Sequence, residues 1–154
     1  METIYKEEQI AQICKYLNIP KTTGKSIIDT YVQYLKDRLD SGETIKFLNV
    51  CYLRVGGKDE SNHETLAYTA HELGNKLGIS QVVVHRVLTT YEEFLIKDLR
   101  KLYSYSIRGL VRIKLVRNAD GDYKVRTKKS TAYNGKDVYV TTTGYFKRRA
   151  EVLA

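Results

Sequence analysis

The apolar residues of this chain recur at an offset of 60 residues, and that recurrence limits its fold more than any other feature. Without a gap, the offset aligns Ile13 with Leu73, Leu17 with Leu77, Ile19 with Ile79, Ile27 with Val87 and Ile28 with Leu88. It continues through Tyr31/Tyr91, Tyr34/Phe94, Leu35/Leu95, Leu39/Leu99, Phe47/Ile107, Val50/Leu110, Leu53/Ile113 and Val55/Leu115. Self-similarity at a fixed offset means one supersecondary unit written twice, so the fold must accommodate two copies of the same apolar faces.

Each unit opens with apolar residues three and four apart, in EEQIAQICKYL and again in TLAYTAHELGNKL, the spacing of an amphipathic helix. The segments NIPKTT and GISQ follow, with Pro20 and Ser80 at equivalent places suited to a helix start. Longer helices are predicted over 22–40 and 82–102, with stripes at Ile28, Tyr31, Leu35, Leu39 and at Leu88, Tyr91, Leu95, Leu99. The period then changes to two in IKFLNVCYLRV and IRGLVRIKLV, which predicts strands packed on those helices. The first copy stops at the linker GGKDESN. The second runs on through Asp120-Gly121 and Asn134-Gly135, both hairpin-turn signals, predicting a β meander from about 110 to 143 and a short basic tail, GYFKRRAEVLA. The expected class is α+β, with units at 1–56 and 63–154 joined by a linker at 57–62.

Charge divides the copies. Residues 1–60 carry nine Lys/Arg and nine Asp/Glu, whereas residues 100–154 alone carry fourteen basic and four acidic residues, so the net charge of +8 belongs to the second part. In YKVRTKK alternation places Lys124, Arg126 and Lys128 on one strand face, and Arg112 and Lys114 share the outward face of another. Such a face can track phosphates, meet an acidic protein surface, or stand solvated and discourage edge pairing.

Chemistry is otherwise sparse. Cys14 and Cys51 form no CxxC and read as small buried apolar residues. His63, His71 and His85 have no metal-ligand spacing, and Glu92-Glu93 and Asp59-Glu60 are paired only in sequence. No P-loop, GxGxxG turn or Ser/His/Asp order is present, so no catalysis, cofactor or small-molecule substrate is expected. No run approaches the roughly 18 apolar residues of a membrane helix, and METIYKEEQ lacks a signal-peptide core, which predicts a cytosolic product. Tyrosine is over-used, at 13 against three Phe and no Trp. Tyr31 and Tyr91 read as core, while Tyr103, Tyr105, Tyr123, Tyr133, Tyr139 and Tyr145 are candidates for an interface.

Helix, turn, longer helix and then a strand of the type V-x-L-x-G-F-G-x-F-x-V is the layout of the HU/IHF family, and this chain resembles two such units in tandem. The resemblance implies an intramolecular pseudo-dimer whose second unit carries a β arm. In that family two arms wrap DNA and each places a proline between bases in the minor groove. Here the arm-tip signature R-N-P-x-T-G corresponds to Arg117, Asn118, Ala119, Asp120 and Gly121, with alanine at the wedge. Asn49 and Cys51 replace the strand glycines of the first copy; the second keeps Gly109 and has Val111. The arm is short, and the first copy has none.

The worn form resembles the IHF-like virion proteins of crAss-like phages, ring components of the tail barrel below the portal. That implies a non-enzymatic homo-oligomeric ring in the virion, assembled in the host cytoplasm against the portal and neighbouring tail rings. The other reading is an HU/IHF-type DNA-bending protein of the cytoplasm or nucleoid. Under either, the contact residues are Arg112, Lys114, Arg117, Asn118, Ala119, Gly121, Lys124, Arg126, Lys128 and Lys129, with Lys147, Arg148 and Arg149 in the basic tail.

Overall fold

The structure, a computed structural model, describes residues 3–55, 64–101, 104–107, 110–117, 123–127, 132–133 and 136–152. The first copy contributes β1 (Thr3–Tyr5), α1 (Lys6–Leu17), α2 (Lys21–Asp40), β2 (Ile45–Phe47) and β3 (Cys51–Val55). The second contributes α3 (Leu66–Leu77), α4 (Gln81–Arg100), β4 (Ser104–Ile107), β5 (Val111–Arg117), β6 (Tyr123–Thr127), β7 (Ala132–Tyr133), β8 (Lys136–Thr142) and α5 (Gly144–Val152). An offset of 60 carries α1 onto α3 and α2 onto α4 end to end. Burial repeats as well: positions 7–40 and 67–100 share their burial class except at Lys25/His85, Thr30/Thr90, Lys36/Ile96 and Asp40/Arg100.

The local chemistry that ends and starts the helices is duplicated too. Asn18 (φ 55°) and Gly78 (φ 68°) each take the left-handed conformation that closes a helix C-terminus. Ile19 N then donates to Cys14 O, and Ile79 N to Gly74 O, both at 3.1 Å. Ser80 caps α4 by accepting from Val82 N at 3.3 Å, and Pro20 holds the equivalent N-cap of α2. Thr65 caps α3 by accepting from Tyr68 N at 3.1 Å. Within the first helix pair, a Cβ on Gly24 would lie 2.3 Å from Cys14 Sγ, so only glycine permits that approach.

The strands pair across the copies. One sheet has the order β1-β4-β5-β6 and the other β2-β3-β8-β7. β1 lies parallel to β4, a strand that the alternation pattern did not reveal. The expected meander is corrected: β5 and β6 form an antiparallel hairpin, but β8 leaves it and pairs with β3 from Cys51↔Thr142 to Val55↔Val138. The first copy ends after two strands and offers the edge of β3, which Val138 and Val140 cover. Leu53 opposes Val140 as its mate Ile113 opposes Thr127, and Val55 opposes Val138 as Leu115 opposes Val125. β8 therefore does for the first copy what β6 does for the second. The two sheets meet where Thr142 Oγ1 accepts from Val125 N at 2.9 Å. The basic tail forms a helix, α5.

One apolar core serves both copies. Tyr31, Phe47, Tyr91 and Tyr105 form a chain of rings with centroids 6.3, 6.1 and 6.1 Å apart, crossing from one copy to the other between Phe47 and Tyr91. Tyr31 OH accepts from Leu48 N at 2.7 Å, and the Tyr91 and Tyr105 hydroxyls bond each other. Tyr105 is fully buried, so it belongs to the core and not to the expected interface set. Buried polar groups also cross the copies. Glu92, 4 % exposed, accepts from Asn49 N at 2.7 Å, and Gln9 Nε2 donates to Asp98 Oδ2 at 2.6 Å. Thr143 donates through Oγ1 to the carbonyls of Asn49 and Val50 and accepts from Phe146 N, so one residue caps α5 and ties it to the first copy. Arg38 pairs with Glu64 and Glu43, fixing the entry to α3.

Candidate interaction surface

The β5–β6 hairpin has one face of each character. Ile113, Leu115 and Val125 point into the core and are buried. Arg112 and Lys114 on β5, and Lys124 and Arg126 on β6, fall on the opposite face by alternation; the first three are half-buried and Arg126 is exposed. Register brings Lys114 directly opposite Arg126. Like charges directly opposite on a sheet repel, at a cost on the order of 0.2–1 kcal/mol. No carboxylate among the described residues forms an ion pair with any of the four. The arrangement suits an anionic partner, which would remove the repulsion and gain attraction from both strands at once.

The equivalent place in the first half is filled differently. Arg54, the mate of Lys114, opposes Tyr139, and its guanidinium lies 4.6 Å over the ring centroid. That cation–π pair satisfies the charge within the chain. Tyr52 and Thr141 continue the same outward register with Lys46 opposite Tyr52, so among the described residues this half presents an aromatic and hydroxyl surface on which Arg54 is paired with a ring and Lys46 donates to the Glu64 carbonyl at 3.3 Å.

The remaining expected contact residues divide between described and undescribed positions. Arg117 ends β5 opposite Tyr123, with its side chain outside the described residues. Asn118, Ala119, Gly121, Lys128 and Lys129 lie outside the described residues altogether, as do the Asp120-Gly121 turn and Asn134-Gly135. Tyr133 pairs Lys136 on either side of the latter. Lys147 and Arg148 are exposed on α5, whose Phe146 is fully buried in the core and which packs on α4 and β6. α5 thus stands on the helix side of the sheet, so these two charges do not join the strand face. The side chain of Arg149 is outside the described residues.

Burial keeps the described thiols and the core phenols protonated. Cys14 and Cys51 are buried free thiols; burial pushes Cys51 up to about 12 and raises Cys14, so neither is a thiolate near neutral pH. Burial likewise pushes Tyr31, Tyr91 and Tyr105 above the ordinary phenol range. His71 and Gln81 share a hydrogen bond at 3.3 Å on the surface, and no group of three or more potential metal ligands occurs among the described residues. No helix among them is long and apolar enough to cross a membrane. The residues that sequence reasoning missed include two that lock the halves together, Glu92 and Thr143, whose partners lie 43 to 94 residues away, and no local pattern marks them.

No protein-family model matches the chain, and no curated protein matches it.

Proposed function

We propose that the chain is a non-enzymatic structural component of a bacteriophage virion, a ring protein of the portal-proximal tail barrel, built from two HU/IHF-like units fused as a pseudo-dimer. The observation that supports this reading is the difference between the outward faces of the two half-sheets. A closed ring of identical subunits uses head-to-tail contacts, and these need two unlike surfaces on each subunit. An aromatic face around Tyr52, Arg54 and Tyr139 and a basic face around Arg112, Lys114, Lys124 and Arg126 are two such surfaces on one chain with a shared core. In the assembly the basic face meets acidic surfaces of neighbouring virion proteins, the portal or adjacent tail rings.

A second reading, an architectural DNA-binding protein, draws on one observation: the cross-strand pair of Lys114 and Arg126, two cations with no carboxylate partner among the described residues. Against it stands Ala119 where the family places its proline wedge.

The two readings separate in one experiment on the purified full chain. Electron microscopy of the protein alone should show rings, and its affinity for nicked duplex should be weak even at low salt. Tight duplex binding whose logarithm falls with log salt by about 0.9 per neutralised phosphate, without rings, would favour the DNA-binding protein instead.

A further inference from the structure

Internal duplication provides a control, because a position that the helix scaffold fixes should have the same character in both copies. Glu92 and its mate Val32 are both 4 % exposed, so the scaffold accepts an apolar side chain at this place and a buried carboxylate there answers to something else. Part of that is the bond from Asn49 N, which takes one of about four acceptor positions on a carboxylate. It does not account for Glu93, an exposed second carboxylate whose mate is Gln33. Both carboxylates line a cavity of about 420 Å³, together with Asn49, Thr89 and Tyr145. Leu66, 8 % exposed, and Ala67 give it an apolar wall. Tyr145 brings a half-buried ring from α5, a helix with no counterpart in the first copy.

The first copy indicates what such a cavity takes. On α2 the chain supplies its own cation: Lys25 pairs with Asp29, four residues on, at 2.6 Å. Their mates on α4 are His85 and Thr89, both at the cavity, and acid stands instead one turn further, at Glu92 and Glu93. The second copy keeps acid on this helix face and no longer carries the lysine. Lys46 also lines the cavity, but its ammonium donates to the Glu64 carbonyl at 3.3 Å. Thr89 Oγ1 gives its proton to Arg86 O at 3.1 Å, so toward any further partner it can only accept. We propose that this cavity binds an alkylammonium or alkylguanidinium group. Glu92, Glu93 and Thr89 accept from its N–H groups, the Tyr145 ring faces the cation, and the stem lies along Leu66 and Ala67. A free amine and a Lys or Arg side chain of a neighbouring protein carry the same chemistry. The site shares no residue with the basic strand face and depends on neither functional reading above.

Titration of the isotopically labelled full chain with n-butylguanidinium, followed by NMR, tests the site, with n-butylurea as the neutral isostere and circular dichroism as the check on folding. The cation should bind saturably and shift the amides of Asn49, Thr89 and Glu93, and the urea should leave them in place. Glu92→Gln keeps an oxygen for Asn49 N and removes the charge, so affinity should fall about tenfold or more. Tyr145→Leu removes the ring face and should weaken binding about twofold to fivefold. Lys46→Gln removes the like charge and should tighten binding. No saturable binding overturns the site, as does urea binding as tight as guanidinium binding. An affinity that both Glu92→Gln and Tyr145→Leu leave unchanged overturns it too. N-acetylarginine amide separates the sources: binding at least as tight as that of n-butylguanidinium assigns the site to a side chain on a polypeptide, and weaker binding assigns it to a free cation.

Discussion

Arg54 over Tyr139 and Lys114 beside Arg126 occupy the same place in two copies of one scaffold, and among the described residues only the first pair is satisfied. Both halves have a buried inner face, both have a third strand laid antiparallel on the second, and both set a cation on the outward side. The fold therefore does not require the basic face of the second half. Where a scaffold position is closed in one copy and left repulsive in the other, the proposed function assigns the repulsion to a partner. The same comparison applies to the helices. Glycine faces Cys14 in the first pair, whereas in the second the mates are Gly74 and Val84, and a Cβ on Gly74 would meet the Ile79 carbonyl at 2.7 Å, so the small residue has changed helices.

The largest expected effect comes from opening the core that the two halves share. Phe146 is fully buried, and α5 follows directly on β8, the strand that completes the first half's sheet. Phe146→Ala should cost about 3–5 kcal/mol in urea denaturation. Because the core is shared, the loss should appear as one transition shifted to lower urea for both copies. Two separate transitions, with the first copy unaffected, would show that the halves fold independently.

A smaller effect tests the exchanged glycine. Gly24→Ala puts a methyl group 2.3 Å from Cys14 Sγ and should destabilise by about 1–3 kcal/mol. Combining it with Cys14→Gly, which copies Gly74 of the second pair, should recover most of the loss. Thermal denaturation of the two single variants and the double variant measures the coupling. Additive losses would mean that the clash is relieved elsewhere and that the helix pairs are not interchangeable in the way the duplication implies.

What the sequence disclosed follows from the range of the forces involved. Helix periodicity, the helix starts at Pro20 and Ser80 and the apolar alternation of β2–β3 and β5 are local, and the 60-residue offset displayed them twice. The burial of Tyr31 and Tyr91 was legible for the same reason. The destination of β8 was not. Its Val138 and Val140 suit any apolar edge, and choosing β3 over β6 depends on an edge more than 80 residues away. The short strand β1 pairs in parallel with β4 and has too few residues to show a period. The burial of Glu92 had no mark in the sequence because its partner, the amide of Asn49, belongs to a turn in the other copy. At the candidate surface, alternation assigned Arg112, Lys114, Lys124 and Arg126 to common faces. Only register could reveal that Lys114 and Arg126 oppose each other, with an aromatic counterpart in the first half.

The measurement that bears most directly on the account is the urea midpoint of the double variant Lys114→Arg with Arg126→Tyr, which installs the first half's pair in the second. If the basic face is kept for a partner at the expense of the isolated chain, the variant should be more stable than wild type by about 0.5–1 kcal/mol. A variant of equal or lower stability would show that Lys114 and Arg126 serve the fold itself, and would contradict the claim.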